Sequence, residues 1–330
     1  MPFQYDVSRF KLSKINSRGS GYHVFCLLKQ ACLLVGAAFI GLYSSVSLAV
    51  TEWVDFELVN GHITLPVTIE GHEGRAIIDT GAQVNSINQS FINRYELELD
   101  KADKIIVRGV YGEEKRQRYS NVQVNLLGAD IEMDKLASLR LGHYENALLL
   151  GGGFLGNFIF QFDYPNSRMR LFMRDEVDLG KLENIKMQID KASRQPIVKV
   201  KLNNEKETWL IMDTGNSGGI FLKRSTAESQ GWLEEFELDK ALTSGVLGSG
   251  YVDVFTMPEM QFGPFVLENV KMSVPEEGQK TNIASNSRGS MTRFKGKNIK
   301  GLLGYDVLKH FVITIDYKAG HMHVGIPEEG

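Results

Sequence analysis

Along most of the chain, apolar and polar residues alternate in short runs, the period of half-buried strands. Leu65-x-Val67-x-Ile69 alternates in this way, and Val198-x-Val200-x-Leu202 repeats it 133 residues later. Ala76-Ile-Ile-Asp79-Thr80-Gly81 returns as Leu210-Ile-Met-Asp213-Thr214-Gly215 at an offset of 134. Gly109-Val110-Tyr111-Gly112 and Gly245-Val246-Leu247-Gly248 follow at 136, then Leu149-Leu150-Gly151 and Leu302-Leu303-Gly304 at 153. The last pair runs on in step to Asp163-Tyr164 and Asp316-Tyr317. Four landmarks in one order, with slowly growing offsets, indicate a duplicated chain with insertions. The jump from 136 to 153 places most of the extra length between Gly248 and Leu302, where the polar stretch 276–290 reads as a loop.

Turn signals separate the alternating runs. Asn60-Gly61, between two such runs, predicts a tight hairpin. Helical signals are few: 89–95, 225–231 and one turn after each Leu-Leu-Gly. The pattern predicts an all-β chain of two similar lobes, residues 50–178 and 179–330, joined near a charged run at 175–183.

The first 49 residues break this pattern. Arg9, Lys11, Lys14, Arg18 and Lys29 face only Asp6, and residues 31–51 carry no charge. Ser47-Leu48-Ala49 then supplies small residues at a cleavage-like position. This order reads as a secretory signal cut after Ala49, or as an uncleaved anchor over residues 31–50. In either case residue 52 onward is expected to be exported, into a bacterial periplasm if the leader is bacterial.

Composition sharpens the picture. Of 330 residues, 43% are hydrophobic and 23% charged, ordinary for a chain with a packed core and unlike disordered or collagenous sequences. The formal net charge of −3 gives no reason to expect a nucleic acid partner. Without residues 1–49, which hold five cations and one acid, the remainder carries −7. Both cysteines, Cys26 and Cys32, lie in the leader. The remainder therefore has no disulfide, thiol nucleophile or thiolate metal ligand.

The chemistry resides in the repeated Asp-Thr-Gly. One copy is usually a turn, but here each ends an apolar strand at the same repeat position. Two carboxylates brought close cannot both ionise cheaply, so they share one proton. One is then a base for water and the other an acid for a carbonyl. No cofactor or metal is called for.

Residues from about 55 to 326 closely resemble the aspartic proteases of the pepsin and retropepsin superfamily. The resemblance implies two β-barrel lobes with an active-site cleft between them, and a catalytic dyad of Asp79 and Asp213. Thr80 and Thr214 match the threonines that cross-link the two loops, and Gly81 and Gly215 the tight-turn glycines. Asp-Thr-Gly-Ala82 is the retropepsin form, whereas Asn216 departs from both branches. A glycine hairpin in each lobe, and a short spacing between the aspartates, make the chain look like a retropepsin dimer fused into one polypeptide. It is therefore expected to act as a monomer on peptides or unfolded protein. Without hydroxyls at positions 82 and 216, the dyad is expected to titrate high, because fewer hydrogen bonds hold its charge.

The resemblance makes 109–112 and 245–248 substrate-binding flaps, with Tyr111 and Leu247 inequivalent at their tips. Tyr111 is read equally as closing over substrate or as an exposed tip. Asp163 and Asp316 read as turn residues, His321-x-His323 as a solvated edge, and 113–118 as a solvated hairpin arm. An exported endopeptidase is the first reading of function. The alternative is a non-catalytic peptide-binding protein of the same fold in the cell envelope.

Overall fold

A computed structural model describes residues 52–173, 176–189, 195–283 and 298–327, together with the backbone of a short strand, Leu12–Lys14, that pairs with residues 265–267. Apart from that strand, the signal or anchor expected at 1–50 lies outside the described residues, as do residues 284–290 of the 276–290 stretch. Among the described residues, no helix is long and apolar enough to cross a membrane.

The described residues are 55% strand and 10% helix, as the alternation implies. In the C-terminal lobe six strands close into a barrel. Their order around it is Pro196–Leu202, Lys206–Met212, Ile299–Leu303, Ile220–Leu222, Phe265–Pro275 and Gly248–Phe262. The last returns to the first through Lys201↔Gln261 and Leu202↔Met260. Along Pro196–Leu202, Val198, Val200 and Leu202 point into the core while Lys199 and Lys201 remain half-exposed.

The N-terminal lobe repeats this plan with two of the long strands broken. Gly112–Ser120 and Val122–Leu126 stand for Gly248–Phe262, and Ala129–Met133 with Leu136–Leu139 stand for Phe265–Pro275. The breaks fall at Asn121 and Lys135, whose φ values are 57° and 56°, a conformation that ends a strand. The Asn60-Gly61 turn forms as expected, with both residues at positive φ and Val59 paired with His62.

A third sheet joins the lobes. Ile159–Asp163 and Val312–Asp316, the two copies of one repeat element, pair antiparallel about Gln161↔Thr314. Gln161 Nε2 donates to Thr314 Oγ1 at 2.8 Å at that centre. Phe160, Phe162, Ile313 and Ile315 are fully buried in one apolar core that runs through both lobes. The halves thus share their largest stabilising term, the burial of apolar area. They should unfold together. Phe160→Ala leaves a cavity in the joint and should cost about 3–5 kcal/mol. Calorimetry should show one transition shifted down, whereas two separated transitions would mean independent lobes.

Candidate active site

Each Asp-Thr-Gly leaves the end of a buried strand. His72–Ile78 delivers Asp79, and Lys206–Met212 delivers Asp213. A parallel neighbour ending in Leu-Leu-Gly braces each one: Asp79 N–H donates to Leu150 O at 3.0 Å, and Asp213 N–H to Leu303 O at 2.9 Å. The repeated Leu-Leu-Gly element therefore holds the backbone of the aspartate itself.

Four buried hydrogen bonds tie the two loops together. Thr80 Oγ1 donates to Met212 O at 2.6 Å and accepts from Thr214 N–H at 3.0 Å. Reciprocally, Thr214 Oγ1 donates to Ile78 O at 2.7 Å and accepts from Thr80 N–H at 3.0 Å. Each hydroxyl uses its one donor and one acceptor position on the opposite lobe. Gly81 lies against the Asp213 carboxyl and Gly215 against that of Asp79, and a β-carbon at either would overlap the carboxyl. Glycine is therefore what allows the carboxyls to sit this close to the opposing loop.

Backbone N–H groups of the following residues, Gly81 and Ala82 at Asp79 and Gly215 and Asn216 at Asp213, act on each carboxyl. Asp79 Oδ1 accepts from Gly81 N–H at 2.8 Å and from Ala82 N–H at 2.9 Å, while Asp213 Oδ1 accepts from Gly215 N–H at 2.9 Å. Burial pushes both acids above the ordinary carboxylate range. For Asp213 the charge of Asp79 beside it adds to burial in the same direction. The high titration expected from missing hydroxyls is therefore present, but its first cause is burial, and the backbone N–H of Ala82 supplies a bond directly. Beneath the pair lie Tyr164 and Tyr317, the repeated Tyr of Asp-Tyr, whose phenols burial holds neutral.

Two residues outside the motifs approach the loops from the opposite lobe. His62 Nε2 lies 3.0 Å from Gly215 O, and Gln195 Nε2 donates to Gly81 O at 2.5 Å. Sequence reasoning passed over both, although the 133-residue offset of the strands they lead relates them.

Both glycine hairpins form with two-residue turns, Gly109 pairing with Gly112 and Gly245 with Gly248. Their tips reach across the molecule. Val110 and Tyr111 pack on the C-terminal cluster around Ile197, Phe221, Val252 and Leu302, with the Tyr111 ring edge-on to Phe221 at 6.3 Å. Leu247 packs on Leu139, Leu141 and Leu149 of the N-terminal lobe, beside Ala82. Tyr111 is therefore half-buried rather than an exposed tip. Asn282, from the stretch read as a plain loop, binds the first hairpin tip. Its N–H donates to Val110 O at 2.8 Å, and its Nδ2 to Gly109 O and Gly112 O at 3.1 and 3.2 Å. Only the extra length of this lobe hinted at such a contact.

The remaining candidates are structural. Asp163 holds Asn166 and Arg168, and Asp316 Oδ1 accepts from Lys318 and Ala319 N–H, so each fixes its turn. His321 faces Glu183. Among the described residues no cluster of three His, Cys, Asp or Glu is placed to hold a metal. The hairpin arm 113–118 carries surface ion pairs from Arg108 to Glu113, Arg116 to Glu114 and Arg118 to Asp103.

Two outcomes follow for stability. Thr80→Val strands Met212 O and Thr214 N–H in the interior and should cost about 1–3 kcal/mol, while Thr80→Ser keeps both bonds. Equal melting temperatures for the Val and Ser variants would contradict this. Asp213 is raised in the fold, so the folded state binds its proton more tightly, and stability falls as pH rises from the unfolded carboxylate range through the folded value. Asp213→Asn should therefore melt above the parent at neutral pH, with the gap closing below about pH 4. A gap that widened on acidification would contradict the raised acid.

Comparison with known families agrees with the duplication. The family of gag-polyprotein aspartyl proteases matches residues 65–157, and the aspartyl protease family matches residues 198–307. Each match contains one Asp-Thr-Gly. A comparison with curated proteins finds no match. With one family match on each lobe and their loops cross-bonded at the junction, the chain belongs to the aspartyl proteases, as two retropepsin-like lobes in one polypeptide.

Proposed function

We propose that the chain is an aspartic endopeptidase that cuts extended peptide through Asp79, Asp213 and one water. The observation that carries this reading is the cross-bonded pair of carboxyls, buried side by side and both raised by that burial. Asp79 accepts two strong backbone N–H bonds and keeps the charge, so it is the base. Asp213 keeps the shared proton and is the acid.

A water placed between the two gives a proton to Asp79 as its oxygen attacks the scissile carbonyl carbon. Asp213 donates its proton to the carbonyl oxygen, which gives a neutral tetrahedral diol. As the C–N bond breaks, the leaving nitrogen takes the proton held by Asp79, and a diol hydroxyl returns its proton to Asp213. The carbonyl becomes a carboxylic acid and the nitrogen an amine, so one water is consumed and the dyad is restored.

The hairpins 109–112 and 245–248 would be the flaps that hold substrate as an added strand. The apolar clusters under Tyr111 and Leu247 favour apolar side chains around the cut. Because both tips pack across the cleft, and Asn282 holds one of them, substrate must displace these contacts to enter. Compact folded domains would then be poor substrates and unfolded segments good ones. The leader supports export, so periplasmic polypeptide is the proposed substrate pool, and one chain is the proposed active unit.

The test is digestion of one polypeptide in folded and denatured form, with products read by mass spectrometry. Cleavage of the denatured form should fall by on the order of 10²–10⁴ in Asp79→Asn and in Asp213→Asn. If either variant kept most of its turnover, the assigned roles would be wrong. Equal cutting of folded and denatured forms would remove the flaps from the mechanism.

A further inference from the structure

The two cross-lobe contacts on the Asp-Thr-Gly loops occupy equivalent places and differ in charge. Gln195 meets Gly81 O with a neutral amide. His62 meets two carbonyl oxygens, Gly215 O at 3.0 Å from Nε2 and Val59 O at 3.3 Å from Nδ1. A carbonyl oxygen only accepts, so both contacts are hydrogen bonds only when both ring nitrogens carry protons. The geometry is therefore completed by an imidazolium. Gly215, the residue it binds, is also the residue packed against the Asp79 carboxyl. Between two lobes that are otherwise near copies, one side of the dyad receives a cation and the other an amide.

We propose that His62 is a positioning residue that decides which aspartate keeps the negative charge: its imidazolium, seated between Val59 O and Gly215 O, holds the charge on Asp79 and leaves the shared proton on Asp213. The proposal rests on the reading of this pair as the catalytic dyad. It supplies a cause for the division of labour that goes beyond the count of backbone donors. The field of His62 acts on Asp79 in the favourable direction. The other charged and titratable groups of the elements around it are already engaged. Glu57, on the adjoining strand, meets Arg75 at 3.4 Å. Tyr305 touches the neighbouring Gly61 position, and Asp306 next to it is paired with Lys309 at 2.9 Å. The aspartates are the charges left for the ring to bias.

The sign follows from charge. Removing a nearby cation makes the carboxylate less favourable, so Asp79 should titrate at higher pH. The experiment is a ¹³C-carboxyl NMR titration of Asp79 in the full chain carrying Asp213→Asn, which isolates one acid. Adding His62→Gln keeps an amide donor for Gly215 O but no charge, and should raise the Asp79 midpoint by about one unit. His62→Lys restores a cation and should bring the midpoint back. Gln195→Ala removes the equivalent bond without changing charge, and should lower the melting temperature while leaving the Asp79 midpoint in place. With both aspartates present, His62→Gln should move the acidic limb of kcat/KM to higher pH. An Asp79 midpoint that His62→Gln leaves unmoved, or that Gln195→Ala shifts as much, would overturn the proposal. The NMR reading needs no turnover, so it stands apart from the protease reading, which fails if Asp79→Asn still cuts.

Discussion

Four hydrogen bonds made by Thr80 and Thr214, two between them and two to Met212 O and Ile78 O, hold the two lobes' loops back to back, and everything at the junction depends on them. Each threonine completes the other lobe's backbone, so neither loop is satisfied alone. All four bonds are buried, where an unpaired donor or acceptor is expensive. This forces two carboxyls together against their own charge, and burial raises both. The energy for that arrangement comes from elsewhere, chiefly from the apolar core that runs unbroken through the joint between the lobes. The raised acids are thus a local loss of stability held in place by a global gain.

Much of this was legible in the sequence because duplication writes each structural role twice. The offsets of 133 to 153 located both aspartates, both threonines, both hairpins and the brace behind each loop. The all-β lobes followed from alternation, and the positive-φ turn at Asn60-Gly61 from its chemistry. What could not be read were contacts between lobes by residues with no motif. Asn282 meets Gly109 from 173 residues away, and nothing in a polar loop marks one asparagine as a clasp. His62 and Gln195 were recoverable in principle, since the 133-residue offset aligns them. A histidine opposite a glutamine does not look like a repeat, so the pair passed unnoticed. Tyr111 shows the same limit: alternation ends at a turn, and only the opposite lobe decides whether the tip is exposed.

Joining both halves in one chain lets them diverge where a symmetric dimer could not. The C-terminal barrel is continuous, whereas the N-terminal one is broken at Asn121 and Lys135. One hairpin tip carries Tyr111 and the other Leu247, and Asn282 clasps the first. Ala82 follows one aspartate and Asn216 the other, and Asn216 turns its side chain to Gly218 and Gly219 rather than to the carboxyl. Histidine faces one loop and glutamine the other. These differences surround a pair whose members, in the proposed reaction, act differently, one as base and one as acid. The cross-bonded frame keeps the carboxyls in register while the residues flanking them differ from one side to the other.

The proposed catalytic pair, drawn from both lobes of one polypeptide, requires one site per chain. The most direct measurement is a tight-binding titration of the purified protein with a statine-type peptide, whose hydroxyl takes the place of the attacking water. Active chain is counted by residual cleavage, and inhibitor and protein concentrations are fixed by amino-acid analysis. One inhibitor per chain, unchanged on dilution, is the result that a site shared between Asp79 and Asp213 of the same chain requires. One inhibitor per two chains, or no saturable binding, would contradict it.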